Sequence, residues 1–389
     1  EKFMNQKTIT LFCLVIIFFL TACQRSAPLP THTTYPAETR MVQSPTSAAT
    51  KEATAAPAAT ITPQRPSPTP SPTITASPTV IPITELLFTG VIVPARCVQA
   101  AIDENGNADF IYEDMHTMIA NADLAVGTLN AALSDYAPRT GCVRTFVLVG
   151  GSENADALAV AGFDVVSVAT NHIKNCGPTD CGDRAFLDTL KNLRRVGIEP
   201  VGAGENLDEA LKPIVATING VRFGFVSLGE IEARAFAADD TPGIAVLTDE
   251  NLQASIESTK NITDVVIVLP HWGSDYSETP NYRQLHFAQV AVDAGADVVI
   301  GNHAHVIQGM QNIDGVPVFY GLGNFVFDQS WSSTTQQGIV VRMLFEGSRY
   351  ISHEVIPVHI DNDGHVYIPE TEEAAEILGR FQSISAEIP

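Results

Sequence analysis

Apolar residues from about Thr84 onward come in short runs that end at glycines or polar turns. Runs such as "DVVIVLP" are rich in β-branched side chains, which is typical of buried strands. Other stretches, such as "DRAFLDTLKNLRR", repeat apolar residues three and four positions apart and predict amphipathic helices. Strands and helices alternate at first, and strands dominate towards the end. This order predicts a mixed α/β fold in which helices cover sheets.

The same patterns place individual elements. We predict strands at "ITELLFTGVIVP", "DLAVGTL", "FDVVSVA", "VRFGFVSLG", "DVVIVLP", "DVVIGNHAHV", "VPVFYGLGNFVF", "GIVVRMLFEG" and "YISHEVIPVHI". We predict helices at "DFIYEDMHTMIANA", "ENADALAVAG", "DCGDRAFLDTLKNLRRVG", "TPNYRQLHFAQVAVDAG" and "TEEAAEILGRFQ". In the fourth helix we expect Thr279 to be the N-cap. The apolar face of that helix is expected to contain Tyr282, Leu285, Ala288 and Val292.

The residues before these elements form two different segments. Residues 1–23 have the polar start and short apolar run of a secretory signal. Their ending, Leu-Thr-Ala-Cys, resembles a bacterial lipobox and predicts lipid attachment at Cys23; a plain signal peptide and an uncleaved anchor are the alternatives. Residues 24–83 are rich in Pro, Thr and Ser and are predicted to be a disordered linker. We therefore expect a lipid-anchored protein on the extracytoplasmic face of the cell membrane.

The remaining chain shows no clear boundary. We predict one domain over residues 84–330, followed by a β-rich closing segment and C-terminal tail over residues 331–389. The formal net charge of −22 argues against a nucleic-acid partner, because phosphates attract basic surfaces.

Four cysteines lie in the predicted folded part, and an even number outside the cytoplasm suggests two disulfides. Four cysteines allow three connectivities. We favour Cys176–Cys181, which closes a short loop, together with Cys97–Cys142. A cysteine metal site is the weaker alternative because the chain has no C-x-x-C spacing.

Three apolar strands are followed by histidines. Asn171 and His172 follow the first, His271 ends the second, and His303 and His305 follow the third. Ligands of open α/β sheets bind beyond the carboxyl ends of strands. Imidazole is a good ligand for zinc, iron or manganese, and an amide oxygen makes the site harder. The pattern therefore predicts a metal site or a polar binding cleft at these strand ends.

Six stretches in this order resemble a known family: "FTGVIVPAR", "ADLAVGTLNAALSD", "GFDVVSVATNHIKNCG", "VIVLPHWGSDY", "DAGADVVIGNHAHVIQGM" and "VFYGLGNFVFDQ". They are similar to the CapA-type capsule-synthesis family (PGA_cap), which is linked to poly-γ-glutamate and related to calcineurin-like metallophosphoesterases. The resemblance implies a single α/β domain built as a four-layer αββα sandwich. It also implies an anionic cell-surface polymer, such as poly-γ-glutamate, as the partner.

The resemblance also implies roles for single residues. Asn171, His271 and His303 would bind one metal ion and His305 a neighbouring ion. His172 would be the catalytic general acid or oxyanion-stabilising imidazole. The residues expected to contact substrate are Arg96, Asp275 and Tyr276.

Two departures from the family pattern change this expectation. Val91 stands where the family has an aspartate, and Asn130 stands where it has a glutamate. Two cations held close together need bridging negative charge, so we expect one divalent ion (Mn, Zn or Fe) instead of two. Two functions stay open: a degenerate one-metal hydrolase or transferase in polymer synthesis or attachment, and a non-catalytic lipoprotein that binds or retains the polymer.

Overall fold

The computed structural model of the chain describes residues 81–136, 139–175 and 181–389. The predicted signal peptide, the lipidation site at Cys23 and nearly all of the predicted linker lie outside these ranges, as does Cys176. Below, strands are numbered β1 to β19 and α-helices α1 to α8 in chain order.

The first sheet has eight strands. They are β1 (Ile83–Ile92), β2 (Leu124–Leu129), β5 (Val165–Ser167), β6 (Glu199–Val201), β16 (Asn324–Val326), β17 (Gln337–Glu346), β18 (Arg349–Ile360) and β19 (Val366–Tyr367). Their order is β19-β18-β17-β1-β2-β5-β6, and β16 also pairs with β1. Strands β1, β2, β5 and β6 run parallel, so their carboxyl ends share one edge.

The second sheet has seven strands. They are β8 (Ile214–Ile218), β9 (Val221–Gly229), β11 (Val265–Trp272), β12 (Val298–Ile300), β13 (Asn302–His303), β14 (Met310–Ile313) and β15 (Val316–Phe319). Their order is β14-β15-β12-β11-β9-β8, and β13 pairs with β11. Two short ribbons pair β3 (Ala132–Leu133) with β4 (Val149–Gly150) and β7 (Ala203–Gly204) with β10 (Gly243–Ile244).

The helices connect and cover these strands. The α-helices are α1 (Cys97–Asn105), α2 (His116–Asn121), α3 (Glu153–Ala161), α4 (Gly182–Arg195), α5 (Leu207–Ala210), α6 (Asp249–Lys260), α7 (Tyr282–Ala294) and α8 (Thr371–Glu387). Short 3₁₀ helices cover Ala108–Met115, Ala233–Ala235 and Ser333–Thr335. Within the described ranges, every helix is too short or too polar to span a bilayer.

Three apolar cores define the layers. The central core joins the two sheets and contains Phe88 of β1 and Phe225 of β9. A second core packs the first sheet against its helices and contains Leu158 of α3. A third core packs the second sheet against α6 and α7 through Ile256 and Ala288. The layers therefore follow the order helix, sheet, sheet, helix, and the predicted αββα sandwich is confirmed.

The closing segment is part of the first sheet. Strand β17 pairs antiparallel with β1 from Ile83 opposite Glu346 to Phe88 opposite Val341. Residues from the end of the chain therefore complete the sheet that β1 begins.

The stretch "VPVFYGLGNFVF", predicted as one strand, forms two strands in different sheets. Strand β15 pairs with β12 in the second sheet, and β16 pairs with β1 in the first. Between them, Gly323 has φ 75°, a conformation that glycine adopts most easily. The apolar run hid this crossing because both strands are buried on both faces.

Two predicted helices also differ in detail. The first begins as the 3₁₀ helix Ala108–Met115 and becomes α-helical only at α2. Helix α7 is capped by Asn281, not Thr279, and its capping box includes Gln284. Tyr282, the first residue of the helix, is 79% exposed, contrary to the prediction. The buried stripe consists of Gln284, Phe287, Ala288 and Ala291.

Candidate functional site

The predicted site residues lie where parallel strands of both sheets end. His271 is the penultimate residue of β11, opposite Asn302 of β13, while Asn171 follows β5. The Asn302 side chain donates from Nδ2 to Thr128 Oγ1 of the first sheet over 2.9 Å. This hydrogen bond joins the carboxyl edges of the two sheets, so residues far apart in sequence meet there.

Asn171, His271 and His303 meet at this edge. Asn171 Oδ1 lies 2.9 Å from His271 Nε2, and His303 Nδ1 lies 3.3 Å from the same nitrogen. All three residues are buried. The amide oxygen and the two ring nitrogens therefore converge on one small region.

Asn130 joins this group as a hydrogen-bond donor. Its Oδ1 accepts from the backbone N–H of His172 over 2.9 Å, which directs its Nδ2 to Asn171 Oδ1 at 3.1 Å. An amide nitrogen in this orientation offers no lone pair to a metal. The side chain of Val91, fully buried, is likewise unable to act as a ligand.

The converging atoms fit one divalent ion. Metal–nitrogen distances are about 2.0–2.1 Å, which places neighbouring ligand atoms roughly 3.0–3.4 Å apart. Burial, followed by repulsion from neighbouring histidines, lowers the pKa of His303 to about 3 and that of His271 well below its usual range. Both imidazoles are therefore neutral and keep the lone pair that a metal requires.

The candidate ligand set is small: one amide oxygen and two imidazoles. In the ranges that the structure covers, no three His, Cys, Asp or Glu side chains are grouped to hold an ion, so the candidate set depends on the Asn171 oxygen. His271 Nδ1 is also buried without a hydrogen-bond partner in these ranges. Histidine ligands usually donate their second N–H to an acceptor, so this site lacks one common support.

Asp123 and Asp135, which flank Asn130 in the sequence, do not replace the carboxylates expected at positions 91 and 130. Asp123 accepts from the backbone N–H of Glu85 over 2.8 Å. Asp135 accepts from both the backbone N–H and the hydroxyl of Ser152. Both carboxylates are therefore engaged in hydrogen bonds to groups other than the histidines.

The imidazole of His305 presents a nitrogen lone pair to a cleft beside Asn171, His271 and His303. Asn324 Nδ2 donates to Thr335 O over 2.9 Å, so its Oδ1 accepts from His305 Nδ1 at 2.9 Å. The other ring nitrogen, Nε2, is then an acceptor. The predicted strand is confirmed as far as β13 (Asn302–His303) and does not continue to His305, whose φ is 61°. His303 has φ 129°, so both histidines have a strained backbone of the kind found at functional sites.

His172 is neutral and faces the same cleft. Burial, and then the nearby His305 and Arg96, lower its pKa to about 4. Its Nδ1 accepts from Asn175 Nδ2 over 2.8 Å, so Nε2 carries the hydrogen. The ring of Phe146 lies parallel to the imidazole with centroids 5.9 Å apart. This geometry favours hydrogen-bond donation to an oxyanion over proton transfer from an imidazolium.

The cleft has a volume of about 580 Å³ and an aromatic wall. Its lining includes the predicted substrate residues Arg96, Asp275 and Tyr276 and the predicted His172 and His305. Among the other lining side chains, sequence reasoning missed Arg144 and the aromatic residues Phe146, Phe327 and Trp331.

Arg96 organises one side of the cleft. Its guanidinium is ion-paired with Asp328, and its Nη1 donates to Thr145 O over 3.0 Å. The side chains of Arg96 and Asp328 are 8% and 5% exposed. Arg96 therefore joins the end of β1 to the loop that contains Thr145, and its charge is already paired.

Asp275 and Tyr276 also line the cleft. Asp275 Oδ1 lies 3.3 Å from His303 Nε2 and remains half exposed. The hydroxyl of Tyr276 accepts from Gln329 Nε2 over 3.2 Å. Trp272, which follows His271, packs in the interior and donates from Nε1 to Tyr320 O, so Trp331 is the tryptophan at the cleft.

A disulfide links the loop that contains Arg144 and Phe146 to the end of β1. Cys97, which follows Arg96, is bonded to Cys142, two residues before Arg144. This pairing could have placed the loop at the end of β1 from sequence. Cys181 is also disulfide-bonded, and the predicted pairing with Cys176 involves a residue outside the described ranges.

Comparisons with known proteins agree with the family resemblance of the six sequence stretches quoted above. The bacterial capsule synthesis protein family PGA_cap matches residues 85–329. The PGA biosynthesis protein CapA of Bacillus subtilis (strain 168) is 30% identical over 285 residues, which cover 71% of this chain and 73% of the relative. The capsule biosynthesis protein CapA of Bacillus anthracis is 30% identical over 282 residues, which cover 71% of this chain and 67% of the relative.

Similarity to solved structures is more distant. A 5'-nucleotidase from Candida albicans SC5314 aligns with a TM-score of 0.44 and 11% identity, covering 77% of this chain and 58% of that one. The assignment therefore depends on the sequence matches. On these matches, the chain belongs to the PGA_cap family of bacterial capsule synthesis proteins.

Proposed function

We propose that this protein acts in the synthesis or attachment of a capsule polymer by binding an anionic chain such as poly-γ-glutamate in the cleft. Family membership and the names of the Bacillus relatives support the polymer class. The observation that carries the binding role is the hydrogen bond from Asn130 to Asn171. It joins two strand ends through neutral amides at the place where the family has a glutamate.

The cleft is suited to a flexible polymer. Phe146, Tyr276 and Trp331 are 78%, 50% and 45% exposed and line the same cleft, and exposed apolar side chains grouped in this way mark an interaction site. Aromatic rings pack against apolar segments of a ligand, and the polar groups between them fix its orientation. A chain of amides, methylene groups and carboxylates matches this mixture.

A one-metal hydrolase or transferase is the second candidate. The convergence of Asn171, His271 and His303 on one region favours it. A divalent ion bound by these residues would supply Lewis-acid activation of a carbonyl or phosphoryl group and of water. In that case His172, through Nε2–H, would stabilise the developing oxyanion.

Location follows from the predicted N-terminal segments. A lipid on Cys23 and a linker over residues 24–83 would anchor the domain at the outer face of the membrane. Membrane lipid would then be a second partner of the protein. Metabolic labelling with a fatty-acid analogue tests this part, and Cys23→Ala should abolish the label.

One experiment distinguishes a polymer-binding protein from a one-metal hydrolase or transferase. The full chain, purified without a histidine tag, is mixed with poly-γ-glutamate and Mn²⁺, Zn²⁺ or Fe²⁺, and both bound polymer and polymer length are measured. The proposal predicts binding with unchanged length. Shortening or transfer that His303→Ala abolishes would instead establish the one-metal function, and no binding under any condition would contradict both candidates.

A further inference from the structure

We infer that Arg144 is the carboxylate-recognition residue of the cleft and that Trp331 holds it in place. The inference rests on the proposed function and names the group that would bind the polymer's charge. The Arg144 guanidinium carbon lies 4.6 Å from the centre of the Trp331 ring, and both residues line the cleft. A cation over an indole ring is held by electrostatic attraction to the ring face.

The positive charge of Arg144 has no ion-pair partner among the described residues. Among the residues whose positions are described, it has neither a hydrogen bond nor an ion pair, whereas the other cleft arginine, Arg96, is paired with Asp328. Arg96 and Arg144 are the arginines among the described residues that line the cleft, and no lysine is among them. Arg144 is therefore the cation of the described cleft that is left to bind an anion.

The surroundings match single, spaced carboxylates. A guanidinium binds a carboxylate through two parallel N–H donors, and stacking on an aromatic ring leaves those edges free. Phe146, exposed two residues after Arg144, and Tyr276, in edge contact with Trp331 at 5.9 Å, offer apolar surface beside the charge. A polyphosphate places a charge on every repeat without apolar spacers, and this cleft has no second unpaired cation in the described ranges to meet it.

Asp275 adds a complementary group. Its carboxylate is half exposed in the cleft lining and would repel an anion placed beside it. It can accept from an amide N–H or an ammonium group. A polymer that alternates carboxylates with amide N–H groups can meet Arg144 and Asp275 together.

The loop that carries Arg144 is fixed at two points. Cys142 is bonded to Cys97, and Thr145 O accepts from Arg96. The guanidinium is thereby presented from a short segment anchored on both sides. Such preorganisation lowers the entropic cost of binding.

The test compares Arg144→Gln with a matched control, Arg184→Gln. Arg184 is also exposed and lies 4.1 Å over an aromatic ring, that of Tyr136, but it does not line the cleft. Binding of the full chain to poly-γ-glutamate, to its neutral methyl ester and to polyphosphate is measured by calorimetry, with a melting curve for each variant.

Arg144→Gln should weaken binding of poly-γ-glutamate about 10- to 100-fold, the loss expected for a charged hydrogen-bond pair. Arg184→Gln should bind as the unchanged chain does, and Arg144→Lys should recover only part of the affinity. The neutral ester should bind both glutamine variants equally.

Unchanged polymer affinity in Arg144→Gln, an equal loss in Arg184→Gln, or a loss confined to polyphosphate would each overturn the inference. In these cases the proposed function would stand, because the unchanged chain still binds the polymer. If the unchanged chain binds no polycarboxylate at all, the proposed function and the inference both fail.

Discussion

Asn130 donates its side-chain amide to the side-chain oxygen of Asn171 over 3.1 Å. The same Asn130 side chain accepts from the backbone of His172, so its orientation is fixed from both ends. The amide pair connects the strand ends β2 and β5 without any charge. It therefore gives the site a stable arrangement that needs no ion to hold its ligands together.

Restoring the acidic residues should restore metal capacity. In Val91→Asp combined with Asn130→Glu, we expect the bound-metal ratio, measured by elemental analysis, to rise towards two per chain. In chelator, this variant should lose several kcal/mol of stability because Val91 is fully buried. Added Mn²⁺ should restore most of the lost free energy of unfolding.

The matched control is Val166→Asp, a buried position on β5. It should be destabilised equally with and without metal. A metal ratio that stays at one or below in the double variant would show that the two positions do not meet at the site.

The histidine cluster should make the metal-free chain sensitive to acid. The folded-state pKa is about 4 for His172 and about 3 for His303, against about 6.5 in an unfolded chain. Below pH 6.5 the unfolded state binds more protons, so the free energy of unfolding falls as the pH decreases. Each histidine contributes up to about 1.4 kcal/mol per pH unit.

Urea unfolding in chelator between pH 7.5 and 5 measures this slope. His172→Gln and His303→Gln should each flatten it. A free energy of unfolding that is constant or rises towards pH 5 in the unchanged chain would contradict the burial of neutral histidines.

The Cys97–Cys142 disulfide should support both stability and binding. It closes a sequence separation of 45 residues. Cys97→Ser with Cys142→Ser should cost roughly 2–4 kcal/mol by chemical denaturation. Because the loop carries Arg144 and Phe146, polymer affinity at a temperature where the variant stays folded should also fall. An unchanged affinity would mean that the disulfide does not position the cleft wall.

The Arg96–Asp328 ion pair should contribute far more to the stability of the fold than a surface ion pair does. Asp328→Asn leaves the buried Arg96 cation without its partner, and we expect a loss of about 3–5 kcal/mol. The exposed pair of Arg195 and Asp156 is the control, and Asp156→Asn should cost less than about 1 kcal/mol. Equal losses in thermal or urea unfolding would contradict the positioning role of Arg96.

Much of the fold follows from local patterns in the sequence. Runs such as Val265–Trp272 are apolar and β-branched, and their histidines fall at strand ends because parallel strands share an edge. The crossing between β15 and β16 was missed because both strands are buried on both faces, so periodicity shows no break.

The cleft was only partly predictable. His172, His305, Asp275, Tyr276 and Arg96 belong to motifs, whereas Arg144 and Trp331 reach the cleft on irregular loops that carry no periodic signal. The orientation of Asn130 was also beyond the sequence, because it depends on a hydrogen bond to the backbone of a distant residue.

The most direct test of the central claim is the affinity of the full chain for poly-γ-glutamate with and without divalent metal. Calorimetric titration in chelator and then in excess Mn²⁺ gives the two values. A cleft that binds polymer through its own side chains predicts dissociation constants that agree within about threefold. Binding that vanishes in chelator and returns with Mn²⁺ would contradict the account.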